Sequence, residues 1–166
     1  MPICVISTTG TSVFTNASKP IYEAFRSLPS IDDIQTLRSI LTGSDFPEQN
    51  LYLRTLEYLR SEAKGTDSVD NVRRASAELN SLSHILGEHR NRSDQLHFLV
   101  SATTEGALAG RVIADFASEH FKVENIACHV IEGLQVDNGK EFQQNGVRNL
   151  ISKVYDALKK APAGTY

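Results

Sequence analysis

Residues 96–116, LHFLVSATTEGALAGRVIADF, change character half-way along. LHFLV is an apolar, strand-like run, and SATTEG is a turn rich in hydroxyls. From Glu105 the spacing becomes that of an amphipathic helix, which starts directly after the turn. A strand that passes into a helix in this way is one unit of an α/β sheet.

The same unit recurs on both sides. PICVIS (2–7) is a continuous apolar run, as expected of a strand covered on both faces, and it opens into TTGTS. VENIACHVIEGLQ (123–135) is a third strand opening into a loop, and GKEFQQNGVRNLISKVYDALKK (139–160) reads as one long closing helix. Between the first two strands the pattern is helical. KPIYEAFRSL (19–28) is followed by SIDDIQTLRSILTG (30–43), with Ser30 as the expected N-cap and Gly43 as the stop. FPEQNLYLRTLEYLRSEAKG (46–65) carries the stripe Leu51, Leu56 and Leu59. A single further helix is expected from about Ser68 to His89, its apolar positions being Val72, Ala75, Leu79, Leu82 and Leu86.

Alternating strands and helices predict a mainly parallel sheet with right-handed crossovers and helices on both faces. One domain is expected over 1–160, with a frayed tail at 161–166. The 166 residues are 40% hydrophobic and 22% charged, enough to bury a real core without staples. No apolar run approaches the length of a membrane span, and MPICVIS has no basic region or cleavage site of a signal peptide. Cys4 and Cys128 lie inside apolar strands, which suggests a reducing, cytoplasmic setting. With 17 basic against 20 acidic residues, a general duplex-binding surface is not expected. A small anion held by a few residues and backbone amides remains compatible.

In such sheets the ligand crevice lies at the carboxyl ends of the strands. Those ends are STTGTS, SATTEG and EGLQVDNGK, so three turns distant in sequence should converge on one rim. Hydroxyls, a glycine that lets the backbone approach, and free N–H groups at helix starts suit phosphates or other anions. The same residues also serve as caps and turns. Both readings stay open at this point. Lys140, in the third loop, could neutralise a phosphate or be a solvated lysine of a first helical turn.

Familiar chemical motifs are missing. There is no P-loop, no dinucleotide-binding glycine pattern and no nucleophile elbow. His84 and His89 are not at helical ligand spacing, and no His/Cys/carboxylate cluster has metal-ligand spacing. His97 and His129 read as core or ladder-flanking residues. Arg92 and His97 have the Arg-x4-His spacing of HEPN ribonucleases, but they straddle a polar turn and a strand entrance. No metal or cofactor is expected.

Taken together, VISTTGTSVFTN (5–16), SAELNSL (76–82), LVSATTEGALAGRVIADF (99–116), IEGLQ (131–135) and GVRNLI (146–151) resemble the CARF (CRISPR-associated Rossmann fold) domains. The likeness is greatest to those of standalone ring nucleases and of CRISPR-associated effector ribonucleases, and it runs from about residue 3 to residue 153. It implies a Rossmann-like three-layer sandwich. It also implies a homodimer that binds a cyclic oligoadenylate, the messenger of type III CRISPR systems, across its two-fold axis. The expected ring is cyclic tetra-adenylate. Thr8, Thr9, Gly10 and Asn16, with Ser101, Ala102, Thr103, Thr104, Glu105 and Gly106, would line the ribose-phosphate ring. Glu78 and Asn80 would lie near an adenine or the dimer interface. Gly133, Leu134 and Gln135 would approach the scissile phosphate.

Ring nucleases of this kind cleave without metal, the ribose 2′-OH attacking its own phosphate to leave 2′,3′-cyclic phosphate ends. Thr11 or Ser12 would then orient the ribose and Lys140 would stabilise the transition state. No strong general base is expected, so turnover should be slow. The alternative is a sensor domain without cleavage, belonging to or partnering an effector ribonuclease. A capped-turn partner domain with no ligand is a third reading.

Overall fold

Three strands, β1 (Cys4–Thr9), β2 (Gln95–Ser101) and β3 (Asn125–Ile131), form one parallel sheet in that order. The computed structural model describes residues 3–31, 33–87, 94–134 and 139–161. β2 is central, and Leu96 to Val100 are all buried, which accounts for its apolar run. The helices joining β1 to β2 are α1 (Ser12–Thr15), α2 (Lys19–Arg26), α3 (Ile34–Thr42), α4 (Gln49–Glu62), α5 (Ser68–Ala75) and α6 (Ala77–Leu86). α7 (Thr104–Phe121) joins β2 to β3. After β3 come a short turn, α8 (Gly139–Glu141), a π-helical stretch over Phe142–Val147, and α9 (Arg148–Lys160).

Side chains alternate across the sheet. Leu96, Phe98 and Val100 enter one large core with Leu108, Val112, Ile113 and Phe116 of α7 and the stripes of α3 to α6. α9 lies across the other face, touching all three strands and burying Ala157. The fold is thus α/β, a parallel sheet with helices on both faces, as expected. α9 is only lightly embedded. Ile151, Tyr155 and Leu158 are more than half exposed, and their i, i+4, i+7 spacing puts them on one outer stripe.

Four expectations need correction. β1 does not end at Ser7; Thr8 and Thr9 pair with Leu99 and Val100, so the first two threonines belong to the strand. The cap of α3 is Asp33, whose carboxylate accepts the Thr36 N–H at 2.7 Å, and not Ser30. The helix expected from Ser68 to His89 is two helices. Ser76 between them is extended (φ −158°, ψ 149°) and caps α6 by accepting the Leu79 N–H at 3.1 Å. Finally, the closing helix is interrupted by the π turns before α9, a device commonly found beside functional sites.

The π stretch lies hard against the loop after β3. Gly133, at φ +85°, lies against Gly146, and a methyl on Gly133 would stand 2.9 Å from the Gly146 nitrogen. A methyl on Gly146 would run into the Gly133 carbonyl. The loop after β3 and the start of α9 therefore meet backbone to backbone. Asn149 adds a bond from Nδ2 to the Glu132 carbonyl at 3.1 Å.

Candidate functional site

The strand register decides where the three turns emerge. Thr9, Val100 and Val130 occupy one row, and Ser101 pairs with Ile131 in the next. All three strands therefore end within one residue of each other. The Ala102 N–H also reaches the Ile131 carbonyl at 3.2 Å, joining the second turn to the end of β3. The turns after β1, β2 and β3 share one edge of the sheet.

The first turn is built around Glu78, which arrives from the first turn of α6. Its carboxylate is buried (8% exposed). Oε1 accepts the Gly10 N–H at 2.6 Å. Oε2 accepts the hydroxyls of Ser12 at 3.0 Å and Ser76 at 2.7 Å. Ser12 Oγ in turn accepts the Ala77 N–H at 3.2 Å. The extended residue Ser76 makes this possible, because it starts α6 afresh and directs Glu78 under the β1–α1 turn. Thr11 precedes α1, is half-buried and makes no side-chain capping bond. Thr8 is exposed, while Thr9 is buried and its hydroxyl has no partner among the described residues. Asn16 is exposed and docks on α5 through Nδ2 to the Arg74 carbonyl at 3.1 Å. Asn80, on the same helix as Glu78, is exposed.

The second turn caps α7. Thr103 Oγ1 accepts the Gly106 N–H at 3.0 Å and lies 3.2 Å from the Ser101 hydroxyl. Ser101, Ala102, Thr103 and Glu105 are half-buried at this edge. Thr104 is not part of the open rim. It is fully buried, donating to the Pro29 carbonyl at 2.8 Å and accepting the Ile31 N–H at 3.0 Å, so it ties the α2–α3 loop to α7. Gly106 is buried as well, packed on Ser101.

In the third turn Gly133 and Leu134 are half-buried, and Lys140 is exposed in α8. Gln135 lies outside the described residues, as do Arg92 and His89. The turn is held against the π stretch before α9 by the Gly133–Gly146 contact.

Two features escape the sequence reading. The carboxylate of Glu78 bonds to residues 66 and 68 positions earlier, and no periodicity reports such a contact. His97 and His129 are both buried or half-buried, as read, but they also form a stacked pair on the α9 face. His97 Nδ1 and His129 Nε2 are 3.0 Å apart, with ring centroids separated by 5.2 Å. Burial holds both imidazoles below their usual range, and Lys160 reinforces this at His97. At His129, His97 and the α9 lysines Lys153 and Lys160 act in the same direction, opposed by Asp156. The cysteines sit on opposite faces, and burial pushes the Cys128 thiol up to about 12. Among the described residues no group of three or more His, Cys, Asp or Glu could hold a metal ion. No described helix is long and apolar enough to cross a membrane.

A sequence model of the family described as CRISPR-associated protein (Cas_APE2256) matches residues 73–166. The chain belongs to this family. The matched span is more than half of the 166 residues. It takes in Glu78, the β2–α7 turn, the third loop and α9, and it leaves out β1 with its turn. Among curated proteins, none matches the chain.

Proposed function

We propose that this CRISPR-associated protein is a CARF-type domain that binds a cyclic oligoadenylate across a homodimer and cleaves it, ending the signal. The observation that carries the reading is the level edge of the sheet. Two turns rich in hydroxyls, each passing into a helix, leave it together with the turn after β3, which suits a ligand that repeats ribose and phosphate. Membership of a CRISPR-associated family supports the messenger as the ligand class. The outer stripe of Ile151, Tyr155 and Leu158 supports a second copy, and a ring of adenylates can share the symmetry of such a pair.

In the proposed reaction a ribose 2′-oxygen forms a bond to the adjacent phosphorus as the P–O5′ bond breaks. The 2′-hydroxyl proton is lost to solvent, and the 5′-oxygen takes one up. The product is linear, with a 2′,3′-cyclic phosphate, and no water is consumed. The protein holds the 2′-oxygen in line and stabilises charge on the phosphate. Ser12 or Thr11 would do the first and Lys140 the second.

The test is incubation of excess protein with labelled cyclic tri-, tetra- and hexa-adenylate in EDTA. Cleavage of the tetra-adenylate to cyclic-phosphate products is expected. Lys140→Ala should slow it by about 100-fold or more while binding is retained. An uncut ring that still binds would establish the sensor reading, and a Lys140→Ala rate equal to wild type would remove that residue from the mechanism. No binding of any ring would leave a capped-turn partner domain.

A further inference from the structure

Ser12 has one hydroxyl hydrogen and two lone pairs. The hydrogen points to Glu78 Oε2 and one lone pair takes the Ala77 N–H. Glu78, a carboxylate, only accepts, and it also takes the Gly10 N–H. The Gly10 amide and the Ser12 hydroxyl, two donors of this turn, are thus turned inward. What Ser12 has left is a single lone pair.

We propose that Glu78 is a positioning residue that sets the hydrogen-bond polarity of Ser12, making that hydroxyl a subsite for a hydroxyl donor and not for a phosphate oxygen. This rests on the ligand reading above and sharpens it. The donor is a ribose 2′-OH. When it donates to Ser12, its own lone pairs are left to face the neighbouring phosphorus, which is the geometry of in-line attack. Charge on the phosphate must then be met by donors other than Ser12. Ser76 completes the arrangement, since its hydroxyl accepts the Leu79 N–H and so has its hydrogen available for Glu78.

The inference predicts an unusual effect of a near-isosteric change. In Glu78→Gln the amide oxygen stays with the Gly10 N–H and the amide NH2 faces Ser12. Both Ser12 lone pairs are then filled, and its hydrogen turns outward. Glu78→Gln should bind labelled cyclic tetra-adenylate within about threefold of wild type, yet cleave it at least about tenfold more slowly. Glu78→Asp, which keeps an acceptor, should cleave faster than Glu78→Gln. In a Ser12→Ala background the Glu78→Gln change should cost nothing further, because its effect runs through Ser12. Thermal melts accompany each variant.

Equal cleavage by wild type and Glu78→Gln would overturn the proposal, as would an undiminished Glu78→Gln effect in the Ser12→Ala background. Should Glu78→Gln not fold, Glu78→Asp decides, and loss of its cleavage with folding and binding intact would count against the proposal. A wild type that binds no ring, or binds without cutting, overturns the ligand or cleavage reading itself and this inference with it.

Discussion

Gly110 packs α7 tightly against β2. A methyl there would run into the Val100 side chain, which is fully buried and has nowhere to move. An alanine at an exposed helix position gains about 1 kcal/mol over glycine, but overpacking a filled core costs about 1–3 kcal/mol. The steric term wins, so Gly110→Ala should lower the unfolding free energy, measured by urea titration. Gly139, where an added methyl meets no atom of the described residues within 4 Å, is the control and should tolerate alanine. At this scale the sequence was readable only in part. The hydroxyls of SATTEG were visible as a turn, but Thr103 as cap and Thr104 as an inward tie look alike on paper. Their difference lies in which residue meets Pro29 and Ile31, a contact across more than 70 positions.

Elements were easier to foresee than their joints. β1, β2, β3 and most helices follow from apolar runs and stripes, because burial imposes a period that the chain must keep. The break between α5 and α6 was hidden for the same reason. Val72, Ala75, Leu79 and Leu82 all face the core, so one extended residue between the helices leaves the stripe unbroken. Ser76 is the marker, and its hydroxyl serves the α6 N-terminus and Glu78 together. Ser76→Ala removes the cap and one donor to a buried carboxylate. It should destabilise the fold by about 1–2 kcal/mol, readable as a lower thermal midpoint. The first turn should loosen with it, since Glu78 is what holds Gly10 and Ser12.

For the molecule as a whole, the histidine pair ties stability to pH. One imidazole nitrogen donates to the other across 3.0 Å, so full protonation would set two donors face to face beside Lys153 and Lys160. Both groups are held below the ordinary value of about 6.5, while the unfolded chain keeps that value. Below it the unfolded state binds more protons, so stability is full above this pH and falls as pH drops through and below it. The thermal midpoint should therefore decline from pH 7 to pH 5.5, and His129→Asn should flatten that decline. The tie between the closing helix and the loop after β3 is of another kind. Where two side chains touch, a larger residue on one side can be accommodated by a smaller one on the other. Gly133 and Gly146 are both already the smallest residue, so this joint has no second-site suppressor, and any lineage that keeps the loop against the helix must hold both positions fixed.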